Sequence, residues 1–306
     1  MNKHLSPIVL FVYNRPWHTE QTVVALKKNE LAAESDLFIF SDGPKFENDE
    51  NVKKVREYIK TIDEFKSVTI IEREKNLGLA NSVIAGVTEI INKFGKVIVL
   101  EDDLITSKYF IKFMNDALVQ YLNKEKVVCV SGFVPEIKNL PQTFFLKGAD
   151  CWGWGTWVRG WNLFEKNGEM LLYGLKKKKM LKEFDINGLS PRSIMLRNQI
   201  AGKIDSWAIR WLASAYVNEK FCLYPGKTLI KNIGLDGSGI NSSIVEEYIP
   251  ILSDSPVKVE NIIIEECIYA KKKIEEMSIE WNTSINKRSV LYKMKMLISK
   301  VLRVLP

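Results

Sequence analysis

The chain has 306 residues, of which 46% are hydrophobic and 26% are charged, as in folded proteins with a large core. No run of eighteen or more apolar residues is present, so no membrane-spanning helix is expected. The net charge of +7 is concentrated in residues 281–306, which carry six basic residues and no acid and leave +1 for the rest. A nearly neutral body argues against a nucleic-acid-binding face.

The four cysteines are far apart in the chain and form no Cys-x-x-Cys pair, so neither a zinc site nor a disulfide framework is predicted. The apolar segment 7–13 is short for a signal peptide and favours a first buried strand. We therefore expect a cytoplasmic protein.

Strand-like and helix-like segments alternate through the first hundred residues. Short runs of apolar, β-branched residues predict strands buried on both faces. The predicted strands are 8–13, 36–40, 67–71 and 96–100, and the predicted helices are 19–29, 51–60 and 79–94. This alternation predicts an α/β fold with a mainly parallel sheet flanked by helices.

Polar residues follow each of these four strands directly. They are Asn14-Arg15, Ser41-Asp42-Gly43, Arg73 to Gly78, and Glu101-Asp102-Asp103. Ligands of parallel sheets bind beyond the carboxyl ends of the strands, and all four clusters are predicted at that one edge. This convergence is the main functional signal in the sequence.

The three consecutive acids predict a divalent-cation site. Like charges resist ionising side by side, and Mg²⁺ or Mn²⁺, which prefer oxygen ligands, would remove that penalty. Such an ion can stabilise the charge that develops on a departing nucleotide diphosphate. The alternative is a solvated turn in which Asp103 caps the following helix.

The region from 126 to 240 is less regular. Residues 127–130 predict another strand, and a Gly-rich stretch that contains Trp154 and Trp157 follows. Tryptophans are mostly buried, so core packing is favoured. The alternative is an aromatic platform for an acceptor sugar, in which case Trp154 and Trp157 are expected to be exposed.

An ordered set of short segments resembles inverting GT-A glycosyltransferases. The match is to bacterial family-2-like sugar transferases and, more distantly, to N-acetylglucosaminyltransferase I. The matching segments are Tyr13 to Pro16, Ser41 to Gly43, Glu101 to Leu104, Cys129 to Ser131, Asp150 with Trp152 to Trp157, Asp205 to Trp207, and Asn232 to Gly239. The likeness covers residues 6–243 and implies a GT-A domain over 1–243, with a donor half at 1–105 and an acceptor half at 106–243.

The resemblance implies roles for the strand-end residues. Asp103 would bind Mn²⁺ or Mg²⁺ directly. The donor, a UDP-sugar in preference, would be held by Asn14, Arg15, Asp42, Arg73, Asn76, Glu101 and Asp102. Glu101 and Asp102 would contact its sugar and ribose, and Arg15 and Asp42 would lie near its base and ribose.

The resemblance also implies a catalytic base in the segment Asp205-Ser206-Trp207, and Asp205 is our candidate. Its alternative role is a helix N-cap. A histidine that related sequences carry after the Gly-Ser-Gly segment is Asn241 here, and its amide oxygen is a weaker metal ligand. The implied function is metal-dependent transfer of a sugar to a saccharide or lipid-linked saccharide in bacterial surface polysaccharide synthesis.

Two other functions remain open. A sugar nucleotidyltransferase would normally have a Gly-rich loop after the first strand, but residues 13–17 contain no glycine. A non-catalytic saccharide-binding relative is suggested by Asn241. Donor hydrolysis would distinguish a catalyst from a binder.

The extension, residues 244–306, gives a clear pattern only at its end. Apolar residues recur at helical spacing over about 286–306, with lysines and arginines off the stripe. Such a basic amphipathic helix suits an anionic membrane surface, so a peripheral position at the inner face of the cytoplasmic membrane is predicted. The alternative is a helix that packs on the body or on a second subunit.

Overall fold

The computed structural model describes residues 4–237 and 250–280. Ten strands, numbered in chain order, form within these ranges. They are β1 (Ile8–Val12), β2 (Asp36–Ser41), β3 (Ser67–Glu72), β4 (Lys96–Glu101), β5 (Leu104–Thr106), β6 (Val127–Ser131), β7 (Thr143–Lys147), β8 (Trp154–Trp157), β9 (Phe221–Pro225) and β10 (Ile230–Asn232).

The named helices surround the strands. They are α1 (Pro16–Lys27), α2 (Glu50–Ile59), α3 (Leu79–Phe94), α4 (Phe110–Gln120), α5 (Val158–Trp161), α6 (Gly168–Lys177), α7 (Leu181–Phe184), α8 (Arg192–Ile200) and α9 (Trp207–Val217). A 3₁₀ turn covers Ala32–Glu34, and residues 268–280 are also helical.

Eight strands form one sheet in the order β3-β2-β1-β4-β8-β6-β9-β7. Strands β1 to β4 are mutually parallel, and β6 and β9 run parallel to each other. The antiparallel members are β8, between β4 and β6, and β7 at the edge. A separate two-stranded ribbon pairs β5 with β10. The predicted class, an α/β fold with a mainly parallel sheet flanked by helices, is confirmed.

Helices cover both faces of the sheet. One core joins alternate residues of β1, such as Ile8 and Leu10, to α1, α2 and α4. The other joins Val9 and Phe11 to α3 and α9. Because both faces are covered, every residue of β1 is buried, which explains the unbroken apolar run in the sequence.

The predicted elements of the first hundred residues are confirmed, with ends that differ by up to three residues. The helix predicted to begin at residue 19 begins at Pro16, because proline is tolerated in the first helical turn. Sequence analysis did not resolve the short helices α5 to α8, of which α6, α7 and α8 form with α9 a small helical layer with its own core.

Part of the extension packs on the body. Val257 and Ala270 are buried in cores that they share with the sheet, and the Cys267 amide donates to the Phe145 carbonyl at 2.8 Å. The boundary at residue 243 stays a prediction. Asn241 and the helix predicted over 286–306 lie outside the described residues. Within 4–237 and 250–280, no helix is both long and apolar enough to cross a bilayer.

Candidate active site at the carboxyl edge of the sheet

Arg15 joins the ends of β1 and β4. It follows β1, caps α1, and its guanidinium forms ion pairs with Asp102 and, at 2.9 Å, with Asp103. The Thr22 hydroxyl on α1 donates to the Asp102 carbonyl at 2.8 Å, which fixes the helix against the acidic turn. Two of the predicted clusters therefore meet at this edge, and Asn14 is half-buried beside them.

Asp42 joins the ends of β2 and β3. Its carboxylate accepts hydrogen bonds from the backbone amides of Gly43 and Leu77 at 2.9 Å and of Gly78 at 3.0 Å. The Asn76 side-chain amide donates to the Gly43 carbonyl at 2.8 Å. The predicted donor-binding Asp42 and Asn76 thus hold the two loops to each other.

Gly43 is required where these loops cross. A Cβ atom built on it would lie 2.7 Å from the Lys75 carbonyl oxygen and 2.8 Å from the Asn76 nitrogen, and both atoms belong to the backbone. No side chain can move aside to relieve such a contact, so the close approach needs glycine.

Arg73 lies over the ring of Phe40, with its guanidinium carbon 5.4 Å from the ring centroid. Its Nε and Nη2 atoms are buried and have no hydrogen-bond partner among residues 4–237 and 250–280. The main-chain carbonyl of Arg73 already has a donor, because the Arg56 guanidinium donates a hydrogen bond to it at 2.6 Å. Arg73 therefore retains donor capacity at the strand edge, as expected of a residue that holds an anionic ligand.

The acidic turn is electrostatically unfavourable without a cation. Burial and the neighbouring charges of Asp103 and Asp102 raise the pKa of Glu101 to about 8. Burial also raises the pKa of Asp102 to about 6, although the Arg15 charge opposes the shift. Three carboxylates therefore face one guanidinium, and the excess of negative charge would attract a metal ion.

Asp103 is the acid best placed to bind such an ion. Its side chain is partly exposed, whereas that of Asp102 is almost fully buried against Arg15. Among the described residues no group of three or more His, Cys, Asp or Glu side chains could hold a metal. Mg²⁺ and Mn²⁺ are commonly bound by one or two carboxylates with substrate phosphates, so the residues fit a metal that arrives with a diphosphate.

The ribbon of β5 and β10 brings a second loop to Asp103. The Ile233 amide donates to the Asp103 carbonyl at 2.9 Å, and Gly234 lies so near that a Cβ atom there would collide with the Asp103 carboxylate. His18 of α1 contacts Asp236 in the same loop at 3.1 Å. The loop after β10 therefore forms one wall of the site.

The segment that carries Asp205 reaches the acidic turn through Trp207. The side chain of Trp207 lies near the Glu101 carboxyl and opposes the rise in its pKa. Asp205 itself is 58% exposed and is paired with Arg210 at 3.1 Å. The alternative role as an N-cap is wrong for Asp205, because Ser206 caps α9 and accepts from the Ile209 amide.

The prediction that Trp154 and Trp157 are exposed acceptor contacts is wrong. Their side chains are 0% and 1% exposed, because β8 is inserted between β4 and β6 and both of its faces are covered. On one face of the sheet, the Trp154 ring stacks on the Trp207 ring with the two ring centroids 5.4 Å apart. Trp157 packs in the core on the other face and donates to the Leu118 carbonyl at 3.0 Å. Core packing is confirmed.

Sequence analysis missed three contributors to the site. His18 was detectable as one of only two histidines in the chain, directly after Arg15-Pro16-Trp17. Gly234 lies in a segment that the resemblance included, but its packing against Asp103 depends on a distant pairing. Burial and the carboxylates of Asp150, Glu101 and Asp103 raise the pKa of the Cys151 thiol, which places Cys151 near the acidic turn as well.

No protein-family model and no curated protein matches the chain. Among solved structures, the mannosyltransferase PcManGT from Pyrobaculum calidifontis, in complex with GDP-Man and Mn²⁺, is 15% identical with a TM-score of 0.34, over 43% of this chain and 35% of that chain. TarS residues 1–349 from S. aureus give 12% identity and a TM-score of 0.39, over 74% and 59%. The same protein in complex with UDP gives 13% and 0.31, over 45% and 37%. This chain covers less than two thirds of each, and the function proposed below rests on the site geometry.

Proposed function

We propose that the chain is a metal-dependent inverting glycosyltransferase that uses a nucleotide diphosphate sugar, with UDP as the favoured nucleotide. The observation that carries the proposal is the meeting of Arg15, Asp102 and Asp103 at the carboxyl edge of four parallel strands, beside the loops joined by Asp42. Parallel sheets bind ligands at this edge. The carboxylates suit a divalent cation and hydroxyl groups, and the Arg73 guanidinium suits phosphate.

The reaction is a displacement at the anomeric carbon of the donor sugar. The acceptor hydroxyl oxygen forms a bond to that carbon, and the bond from the carbon to the diphosphate oxygen breaks with its electron pair on the departing nucleotide. A Mn²⁺ or Mg²⁺ ion bound through Asp103 would neutralise charge on the diphosphate. Arg15 orients Asp102 and Asp103, and Glu101 and Asp102 would accept hydrogen bonds from sugar and ribose hydroxyls.

Asp205 is the proposed general base for the acceptor proton. It is exposed just before α9, and the side chain of Trp207, two residues later, lies near the Glu101 carboxyl. The ion pair of Asp205 with Arg210 at 3.1 Å holds its carboxylate at the start of α9. The acceptor would be a saccharide or a lipid-linked saccharide, and a role in bacterial surface polysaccharide synthesis follows from the resemblance.

A panel of nucleotide sugars tests the proposal. Nucleotide release is measured with Mn²⁺ and with a chelator, for the native chain, Asp103→Ala and the control Asp116→Ala. Asp116 is an exposed acid on α4 that pairs with Lys112. We expect metal-dependent release that Asp103→Ala lowers by at least about 100-fold and Asp116→Ala leaves unchanged.

Other results would point to other functions. Conversion of a nucleotide sugar and added pyrophosphate to nucleoside triphosphate and sugar phosphate would indicate a nucleotidyltransferase. Binding of nucleotide sugar without any release would indicate a non-catalytic binder. Asp205→Ala is expected to spare donor binding while it stops transfer, and full transfer by this variant would remove Asp205 from the mechanism.

A further inference from the structure

A cleft of about 370 Å³ lies in the second half of the molecule, apart from the acidic turn. Its walls are the cleft-facing side chains of α8 and α9, the segment that follows β7, and the 268–280 helix. The size is within the range of small-molecule sites in proteins. None of the residues to which the resemblance assigned a role lines it.

One end of the cleft adjoins the proposed active site. Ala208 lines the cleft and directly follows Trp207, which stacks on Trp154 of β8, the neighbour of the strand β4 that ends at Glu101. Cys151 also lines it, and Gly153, two residues later, packs against Ile230 of β10, the strand that leads to Gly234 beside Asp103. A ligand seated in the cleft would therefore have one end directed at the acidic turn.

The lysines and glutamates of the lining form ion pairs with one another. Glu183 accepts from Lys147 and from Lys271, each at 3.0 Å, and Lys271 also pairs with Glu266 at 2.6 Å. The two lysines and two glutamates balance each other. Asp150 and Arg192, which also line the cleft, are close enough for the charge of Arg192 to act on the Asp150 carboxyl.

The remaining lining is mostly apolar or aromatic. Leu212, Met195 and Ile274 approach from three different elements, and Tyr216 and Tyr224 add two rings. The Lys147 ammonium lies 5.5 Å from the centroid of the Tyr216 ring. Sugars have apolar C–H faces that pack on such walls and hydroxyl groups that exchange hydrogen bonds with ion-paired side chains.

We propose that this cleft binds an uncharged saccharide and presents one of its hydroxyl groups to the acidic turn as the acceptor. The assignment rests on the proposed function, which supplies the donor at that turn. An uncharged ligand is favoured because every lysine and glutamate in the lining already has a partner of opposite charge. A charged ligand would have to break one of these partly buried pairs or compete with Asp150 for the charge of Arg192.

The test uses methyl hexosides as probes, with methyl glucuronide as the charged counterpart of the same ring. Binding to the full chain is measured by saturation-transfer NMR without donor or metal, so it does not depend on turnover. Ile274→Trp fills the cleft from the 268–280 helix, and Met195→Trp fills it from α8. Ile268→Trp is the matched control, because Ile268 lies on the same helix, is 71% exposed and does not line the cleft.

We expect the native chain and the Ile268→Trp variant each to bind at least one neutral methyl hexoside more tightly than methyl glucuronide. Each filling variant should weaken that binding by about tenfold or more, because a bulky ring excludes the ligand. Donor hydrolysis should stay at the native rate in both filling variants. Circular dichroism checks that the variants fold, and the two walls provide independent tests.

Three results would overturn the inference: no hexoside binds the native chain, binding survives in both filling variants, or the glucuronide binds better than every neutral sugar. Failure of the proposed function is a separate result, since it would appear as absent donor hydrolysis in the native chain whatever the hexosides do.

Discussion

Polar residues follow strands β1 to β4 at the carboxyl edge of the sheet. The loops that carry them are joined by the Arg15 guanidinium and by the Asp42 carboxylate, which accepts hydrogen bonds from main-chain amides. In strands β6 to β9, tryptophans and tyrosines fill the space between sheet and helices. The first region concentrates negative charge that opposes folding, and the second buries large apolar surface that favours it. Removal of a negative charge from the first region should therefore stabilise the chain, whereas removal of a ring from the second should destabilise it, and only the first region should respond to metal.

The largest effect is expected in the aromatic region. Trp154→Ala should lower the free energy of unfolding by about 3–5 kcal/mol, because Trp154 is fully buried and stacked on Trp207. Urea unfolding measures the loss, which Mn²⁺ should not reverse. The control Trp17→Ala, at a residue that is 57% exposed, should stay within about 0.5 kcal/mol of the native chain. A similarly small loss for Trp154→Ala would contradict the assignment of Trp154 to the core.

The next effect is expected at the polar edge. Arg15→Ala should cost about 3 kcal/mol, because it leaves Asp102 and Asp103 without their counter-charge. Mn²⁺ should recover part of this loss, since a cation can replace the guanidinium charge. The control is Arg197→Ala at an exposed arginine of α8, which should change little with or without metal. A loss at Arg15 that ignores Mn²⁺ would count against a metal site here.

The smallest effect is expected to be a gain. The pKa of Glu101 is raised to about 8 in the folded chain, so between the unfolded pKa and pH 8 the unfolded chain releases a proton that the folded chain keeps. Stability should therefore fall as the pH rises through this window. Glu101→Gln should remove that slope and stabilise the metal-free chain by about 1 kcal/mol or more at pH 8, but not at pH 4.

Urea unfolding with a chelator at both pH values measures this gain. Glu89→Gln, at an exposed acid paired with Lys93, is the control and should show no such difference. Equal stability of Glu101→Gln and the native chain at pH 8 would show that Glu101 is not in the repulsive environment described above.

The sequence predicted the first region well and the second poorly, for a physical reason. Parallel strands covered on both faces are continuous apolar runs, so β1 to β4 and the polar groups that follow them could be read from local pattern. Strand β8 has four residues and includes a glycine, and its antiparallel position between β4 and β6 depends on contacts far along the chain. The burial of Trp154 and Trp157 follows from that insertion, which local pattern does not report.

The same limit applies to the site. The meeting of Arg15 with Asp102 and Asp103 follows from strand order alone, since β1 and β4 are neighbours. The placement of Gly234 on Asp103 requires the pairing of β10 with β5, and the cleft requires the packing of the 268–280 helix. Neither is encoded within a short window of residues.

The hydrogen bonds of the Asp42 carboxylate have a consequence for the substitutions that the neighbouring loop can accept. Its carboxylate holds the neighbouring loop by main-chain amides, and Gly43 approaches the main chain of residues 75 and 76. Main-chain partners do not depend on which side chains the loop carries. Glu74, Lys75 and Leu77, all exposed, can therefore be exchanged while the loop keeps its course. Selection could in this way alter ligand preference at the strand edge while the main chain of the sheet and its loops stays the same.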